Sequence, residues 1–179
     1  MNMERHPLQT ERLRLEPTRA YHAPLVYDQI TDERLWTFFP ALRPKSIEEL
    51  RALYRRWERG NPYANRDEEW ENWICFLRDT ETPVGGMQAT ILPGSLAYIA
   101  YVMYAANQRQ GFAREGARAV IEHLREAHGI TRILAEMNTQ NEASIKVVQS
   151  LGFERVEEHV EVERGHGVEA DEYVYELKF

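Results

Sequence analysis

The chain has 179 residues and a mass of 21.0 kDa, the size of one compact domain, so a single domain over residues 1–179 is expected. Hydrophobic residues make up 43% and charged residues 28%, and no run approaches the roughly eighteen apolar residues of a membrane span, which argues against a membrane protein. A net charge of −7 disfavours nucleic acid as a partner and mildly favours a cationic acceptor.

Residues 1–7 lack the apolar core and small-residue cleavage site of a secretory signal, so a cytoplasmic location is expected. Residues 13–16 alternate apolar and charged as a half-buried strand does. Leu25, Val26, Gln29 and Ile30 suggest a first helix, followed by an aromatic loop at Trp36, Phe38, Phe39 and Pro40. Ser46 with Glu49 three residues on is a capping box, and Ile47, Leu50, Tyr54 and Trp57 recur at helical spacing until Gly60. Residues 73–77 and 84–91 read as a hairpin, within which Cys75, the only cysteine, is a buried small hydrophobe that can form no internal disulfide.

Residues 97–104 carry tyrosines and aliphatics with almost no charge, which predicts a central strand buried on both faces. From Gly111 to His128 the apolar positions Ala113, Ala117, Val120, Ile121 and Leu124 mark a long amphipathic helix stopped by Gly129. A strand at 130–137, a helix at 141–151 and two closing strands at 156–164 and 173–177 complete the order β-α-α-β-β-β-α-β-α-β-β. That order predicts an α/β fold, a mixed and mostly antiparallel seven-stranded sheet with helices on both faces. The six histidines form no H-x-x-x-H pair and have no cysteine partners, so no metal is expected.

Two segments carry chemistry. Gln108-Arg109-Gln110-Gly111-Phe112-Ala113-Arg114 stands where a strand gives way to a helix N-terminus. There, unpaired amides and a positive dipole suit a pyrophosphate, and Gly111 and Ala113 permit close approach. Arg109 or Arg114 can add charge-assisted contacts. One strand later come Asn141, Ala143, Ser144, Val147, Leu151, Gly152 and Phe153.

The pair Q-x-x-G-x-A, then N-x-A-S-x-x-V-x-x-x-L-G-F, resembles the GNAT superfamily of acetyl-CoA-dependent N-acetyltransferases. Thr10-Glu11-Arg12-Leu13-Arg14-Leu15, Thr31-Asp32-Glu33, Gly167 and Asp171 resemble its ribosomal-protein-alanine acetyltransferase branch, the Rim type. The resemblance implies that the fourth and fifth strands, residues 98–104 and 130–137, splay like a V and take the pantetheine arm between them. It implies pyrophosphate on the backbone of Arg109, Gln110, Gly111, Phe112, Ala113 and Arg114, and pantetheine against Asn141, which by position also caps a helix. Unpaired amides at Val102, Met103 and Tyr104 would face the oxyanion. Many members place a tyrosine four residues before the G-F pair to protonate the thiolate; Val148 stands there. The Rim pattern N-x-x-S turns attention to Ser144, both as acid and at the cofactor, with backbone bonding at a helix start its equally weighted alternative role. The same resemblance points to Glu163 as base. Period-two alternation puts it on one face with Glu157, His159 and Glu161, where solvated strand carboxylates are the alternative. Glu69, Glu71, His159 and water are lesser bases.

Trp36, Phe38 and Phe39 are expected to wall an acceptor pocket, with Tyr54 and Trp57 in the core. The acceptor is expected to be a primary amine; the resemblance implies a protein N-terminus, while a small amine, an amino acid or an amine antibiotic fits the residues equally. A non-catalytic acyl-CoA-binding regulatory module is the reading from another class.

Overall fold

A computed structural model describes residues 6–38, 40–60, 67–162 and 169–179. The elements are β1 (Leu8–Gln9), β2 (Leu13–Pro17), α1 (Ala23–Ile30), α2 (Ile47–Glu58), β3 (Glu69–Leu77), β4 (Pro83–Leu92), β5 (Leu96–Met103), α3 (Phe112–His128), β6 (Arg132–Asn138), α4 (Glu142–Ser150), β7 (Glu154–Val162) and β8 (Ala170–Lys178). They form one eight-stranded sheet in the order β1-β2-β3-β4-β5-β6-β8-β7. Every pairing is antiparallel except β5 with β6. The strand beyond the expected seven is β1, whose two residues pair with Arg14 and Leu15 and are too few to show periodicity.

Alternation along the strands sends side chains to two cores. Leu13, Leu15, Trp73, Cys75, Met87 and Ile99 meet Phe112, Val120, Ile121 and Leu124 of α3 and Val148 of α4. Ile74, Phe76 and Tyr104 point the other way, to Val26 and Ile30 of α1 and Leu50 and Tyr54 of α2. Helices therefore cover both faces, and burial holds the Cys75 thiol far above its ordinary range. Among the described residues, no helix is long and apolar enough to cross a membrane.

The α1 corner carries a buried histidine. His22 Nδ1 accepts the Arg19 N–H at 3.0 Å, so Nε2 holds the ring proton and donates to Glu16 at 3.0 Å. Burial, aided by Arg19 and Arg14 against Glu58, lowers its pKa from 6.5 to about 4. Between those values the unfolded chain binds the extra proton, so stability is full above pH 6.5 and lost as pH falls toward 4, on the order of 3 kcal/mol. Urea unfolding of wild type and His22→Gln across this window is expected to show that slope in wild type and a flatter one in the variant.

One expectation is corrected. β5 is buried on one face only: Ala97, Ile99 and Met103 are buried, Tyr98 and Val102 are partly covered, and Ala100 is exposed. Among the described residues, the core formed by α1 and α2 includes no residue of β5, and that opening positions the site.

Candidate active site

β5 and β6 pair only from Leu96↔Arg132 to Tyr98↔Leu134. Beyond Tyr98, β5 stays with β4 as far as Met103, while β6 follows β8 to Asn138. The two strands thus part into a V. The ladder decides which groups face the gap. Tyr104 N–H donates to the Val84 carbonyl at 2.9 Å, and in an antiparallel pair the bonding direction alternates. Val102 therefore also bonds toward β4, while the main-chain groups of Tyr101 and Met103 turn to the gap. Of the three residues expected to offer an oxyanion amide, only Met103 has one free to do so. Its carbonyl accepts from Gln108 Nε2 at 3.2 Å. Gly85, opposite Met103, leaves no room for a side chain: a Cβ would lie 2.3 Å from the Val102 carbonyl oxygen.

At the open end lies the turn before α3. Gly111 caps the helix at φ 83°, and Arg109 also has positive φ, at 60°. The first intrahelical bond runs from Glu115 N–H to the Gly111 carbonyl at 3.0 Å, so the amides of Phe112, Ala113 and Arg114 precede the helical ladder. The Phe112 side chain is buried, whereas Arg109, Gln110, Gly111 and Arg114 are exposed. Thr10 and Arg12 hold this turn from across the chain. Thr10 Oγ1 and the Arg12 N–H donate to Glu115 Oε1 at 2.5 and 2.8 Å, Arg12 Nε donates to Oε2 at 2.7 Å, and Arg12 Nη1 donates to the Gln110 carbonyl at 3.0 Å. Burial pushes the Glu115 carboxyl up, but these donors outweigh it and hold the group below the ordinary carboxylate range.

On the other side of the V, Asn141 Oδ1 accepts the Ser144 N–H at 3.2 Å and caps α4, leaving the Asn141 amide N–H₂ unused by the cap. The Ser144 carbonyl accepts from the Tyr101 hydroxyl at 3.1 Å. Tyr101 thus bridges β5 to α4, and burial lifts its phenol to about 12 despite that bond. Tyr101 was hidden in the sequence because nothing local ties it to a residue 43 positions away.

On the α1 and α2 side of the sheet, a cavity of about 180 Å³ is lined by Tyr98, Leu134, Glu136, Glu157, His159 and Glu176 among others. A second, of about 470 Å³, adjoins it at Tyr98 with Asp67 and Glu68 on its wall. Asn72, on the same face through its pairing with Gln88 and then Ala100, is buried, and among the described residues neither its amide oxygen nor its amide nitrogen has a hydrogen-bond partner. The Thr18 hydroxyl is buried and unpartnered in the same way.

The expected acceptor and base residues scatter. Trp36 is pinned, its indole N–H donating to the Ile30 carbonyl at 2.6 Å, and packs on the α1 and α2 core. Phe38 is half-buried, and Phe39 lies outside the described residues. Glu69 is exposed at the start of β3. Glu71 faces α3 instead, where His123 and His128 bind it. Burial raises its pKa, the two imidazoles outweigh that, and the result is about 2, far too acidic for a base near neutrality. Strict alternation along β7 also fails. Register shifts between Arg155 and Glu157 and between His159 and Val162 each insert a residue, so Val162 pairs with Ala170 where His159 pairs with Glu172. Glu163 lies outside the described residues. His159 remains at the cavity, its Nε2 2.9 Å from Glu157 Oε2.

The comparisons with known proteins agree with this geometry. The family model described as an acetyltransferase (GNAT) domain matches residues 12–154. YoaA, an uncharacterised N-acetyltransferase of Bacillus subtilis, is 25% identical over 150 residues, covering 83% of this chain and 82% of that one. The Salmonella typhimurium acetyltransferase that modifies the N-terminal serine of ribosomal protein L7/L12 superposes with a TM-score of 0.81 at 19% identity, over 97% of this chain and 99% of that one. RimL, a ribosomal L7/L12 alpha-N-protein acetyltransferase in complex with coenzyme A, gives 0.80 at 17% identity, over 97% and 98%. A V-shaped gap between helix N-termini and a family match over most of the length lead to one conclusion: the chain belongs to the GNAT family and is an acetyl-CoA-dependent acetyltransferase.

Proposed function

We propose that this enzyme, as one domain over residues 1–179, moves the acetyl group of acetyl-CoA to a primary amine by direct attack, without a covalent enzyme intermediate. The observation that carries this reading is the V between β5 and β6, open at the α3 turn and closing beside the carboxylate-lined cavity at Tyr98. Pyrophosphate sits on the amides from Arg109 to Arg114, with the two arginines at its flanks. The pantetheine arm runs down the gap past Asn141 and Ser144, and the thioester lies with its oxygen toward the Met103 amide. The Ser144 hydroxyl donates a proton to the departing thiolate, with Tyr101 close by. No metal takes part in this transfer.

The acceptor enters from the α1 and α2 side. Glu136 and Glu157 favour a cation there, Glu176 being already paired with Arg132 and Lys178, and Asn72 and Thr18 offer it hydrogen bonds unused among the described residues. Phe38 is the proposed apolar contact for the acceptor, while Trp36 packs on the α1 and α2 core. Likeness of fold to enzymes that act on ribosomal protein L7/L12 supports a protein N-terminal amine as acceptor. The test is release of free coenzyme A thiol with peptides and small amines side by side. Turnover proportional to a peptide carrying a free N-terminus is expected; turnover with small amines alone would move the acceptor class, and none with any amine would leave an acyl-CoA-binding module. Asn72→Ala is expected to raise acceptor KM about tenfold with acetyl-CoA affinity unchanged, as loss of ground-state binding does. An equal loss for both ligands would place Asn72 outside an acceptor pocket.

A further inference from the structure

We propose that Glu71, His123 and His128 form a binding site for a divalent transition metal of the zinc type, which clamps the C-terminal end of α3 to β3. Glu71 stands on the α3 face of β3 with its side chain only 6% exposed. His123 Nε2 lies 2.8 Å from Glu71 Oε2, and His128 Nε2 lies 3.4 Å from Oε1. The three prospective ligand atoms all fall within 4.8 Å of one another. Zinc bonds of about 2.0–2.2 Å in a tetrahedron place neighbouring ligand atoms roughly 3.3 Å apart. The two Glu–His separations lie close to that value, so side-chain rotations would bring all three groups onto one ion. Two imidazoles and one carboxylate leave a fourth position for water.

The placement is built by the fold. β3 lies between β2 and β4, and Trp73, two residues on, meets the His123 ring edge-on at 5.8 Å between centroids. His128 is the last residue of α3. Gly129 takes φ 62° and turns the chain away, and the Ile130 N–H returns to the Leu124 carbonyl at 3.2 Å. Histidines five apart do not share a helix face, since their directions differ by about 140°. At the helix terminus the second ring can swing back, and the centroids of the two stand 5.3 Å apart at 81°. The side chains of His123 and His128 are 24% and 10% exposed, which gives an ion its approach and a water ligand its place.

Charge favours an ion here. A divalent cation gives the buried Glu71 carboxylate a directly bonded countercharge in place of hydrogen bonds. On binding, each imidazole moves its proton from Nε2 to Nδ1 and offers the Nε2 lone pair. His123 stands roughly 18 Å along α3 from Gly111, so the clamp is structural and separate from acetyl transfer.

The test titrates chelator-treated full-length protein with zinc by calorimetry, and with cobalt(II) by visible absorption. The expected result is one zinc per chain bound at micromolar concentration or tighter, a melting temperature raised by several degrees, and tetrahedral nitrogen and oxygen bands with cobalt. His123→Gln and His128→Gln keep a donor toward Glu71, so the fold is expected to persist by circular dichroism while zinc affinity falls at least about a hundredfold. His159→Gln is expected to leave zinc affinity unchanged. No binding at about 100 µM zinc, or equal affinity in wild type and both core variants, would overturn the site and leave a hydrogen-bonded Glu–His cluster.

Discussion

Gly111→Val is expected to weaken acetyl-CoA binding about a hundredfold while lowering the stability of the fold by only about 1–2 kcal/mol. The two effects have different origins. At φ 83° a valine carries the strain of the left-handed region, and its Cβ would meet Arg12 Nη2 at 3.3 Å, a contact that a flexible, half-exposed side chain can yield. The fold therefore survives. The turn itself must rotate to relieve the strain, however, and the amides of Phe112, Ala113 and Arg114 rotate with it. Losing two charge-assisted bonds to pyrophosphate, at about 1.5–3 kcal/mol each, is enough for the affinity change. Gly129→Val is the control, because Gly129 takes φ 62° at the other end of the same helix and has nothing within 4 Å. It shares the strain and should keep the affinity. Calorimetry with acetyl-CoA and thermal unfolding of both variants measure the two effects separately. Unchanged affinity in a folded Gly111→Val protein would mean that the pyrophosphate lies elsewhere.

What the sequence makes legible here is local. Ser46 and Glu49 announce α2 because a cap involves residues three apart, and Glu49 N–H does donate to Ser46 Oγ at 3.1 Å. The Glu49 carboxylate, however, accepts from Lys45 N–H rather than from Ser46, a detail that only the folded loop decides. Gly111, Asn141 and Ser144 are legible for the same reason, each standing at a helix start. The contacts that fix the site span the chain. Glu115 joins Thr10 and Arg12 across more than 100 residues, Tyr101 joins Ser144 across 43, and Glu71 joins His123 across 52. Thr10 and Arg12 were visible in the motif that resembles Rim-type enzymes, yet their physical task, holding the α3 turn through Glu115 and Gln110, was not. A search for histidines four apart could not find His123 and His128, because the end of a helix relaxes the spacing rule. Nor could alternation foresee the bulges of β7, which depend on the partner strand.

The route of the amine proton is open to direct test. His159 lines the cavity with its Nε2 held by Glu157, an orientation that suits proton acceptance from an ammonium, directly or through water. His159→Gln is expected to lower kcat/KM about a hundredfold at neutral pH and to leave acetyl-CoA affinity intact. The loss should shrink as rising pH delivers the acceptor already neutral, and the pH at which it vanishes identifies the amine. A peptide N-terminus, with a pKa of about 8, needs no base above roughly pH 9, whereas an alkylamine near 10.4 keeps the penalty past pH 10. Ser144→Ala should give a smaller and pH-independent loss, no more than about a hundredfold, because coenzyme A thiolate leaves readily near neutral pH. The measurement is a pH–rate profile for each variant with saturating acetyl-CoA and one good acceptor. A wild-type profile for His159→Gln with a collapsed neutral limb for Glu163→Gln would return the role to the residue that the Rim-type resemblance implies. Unchanged profiles in both would leave the proton to water.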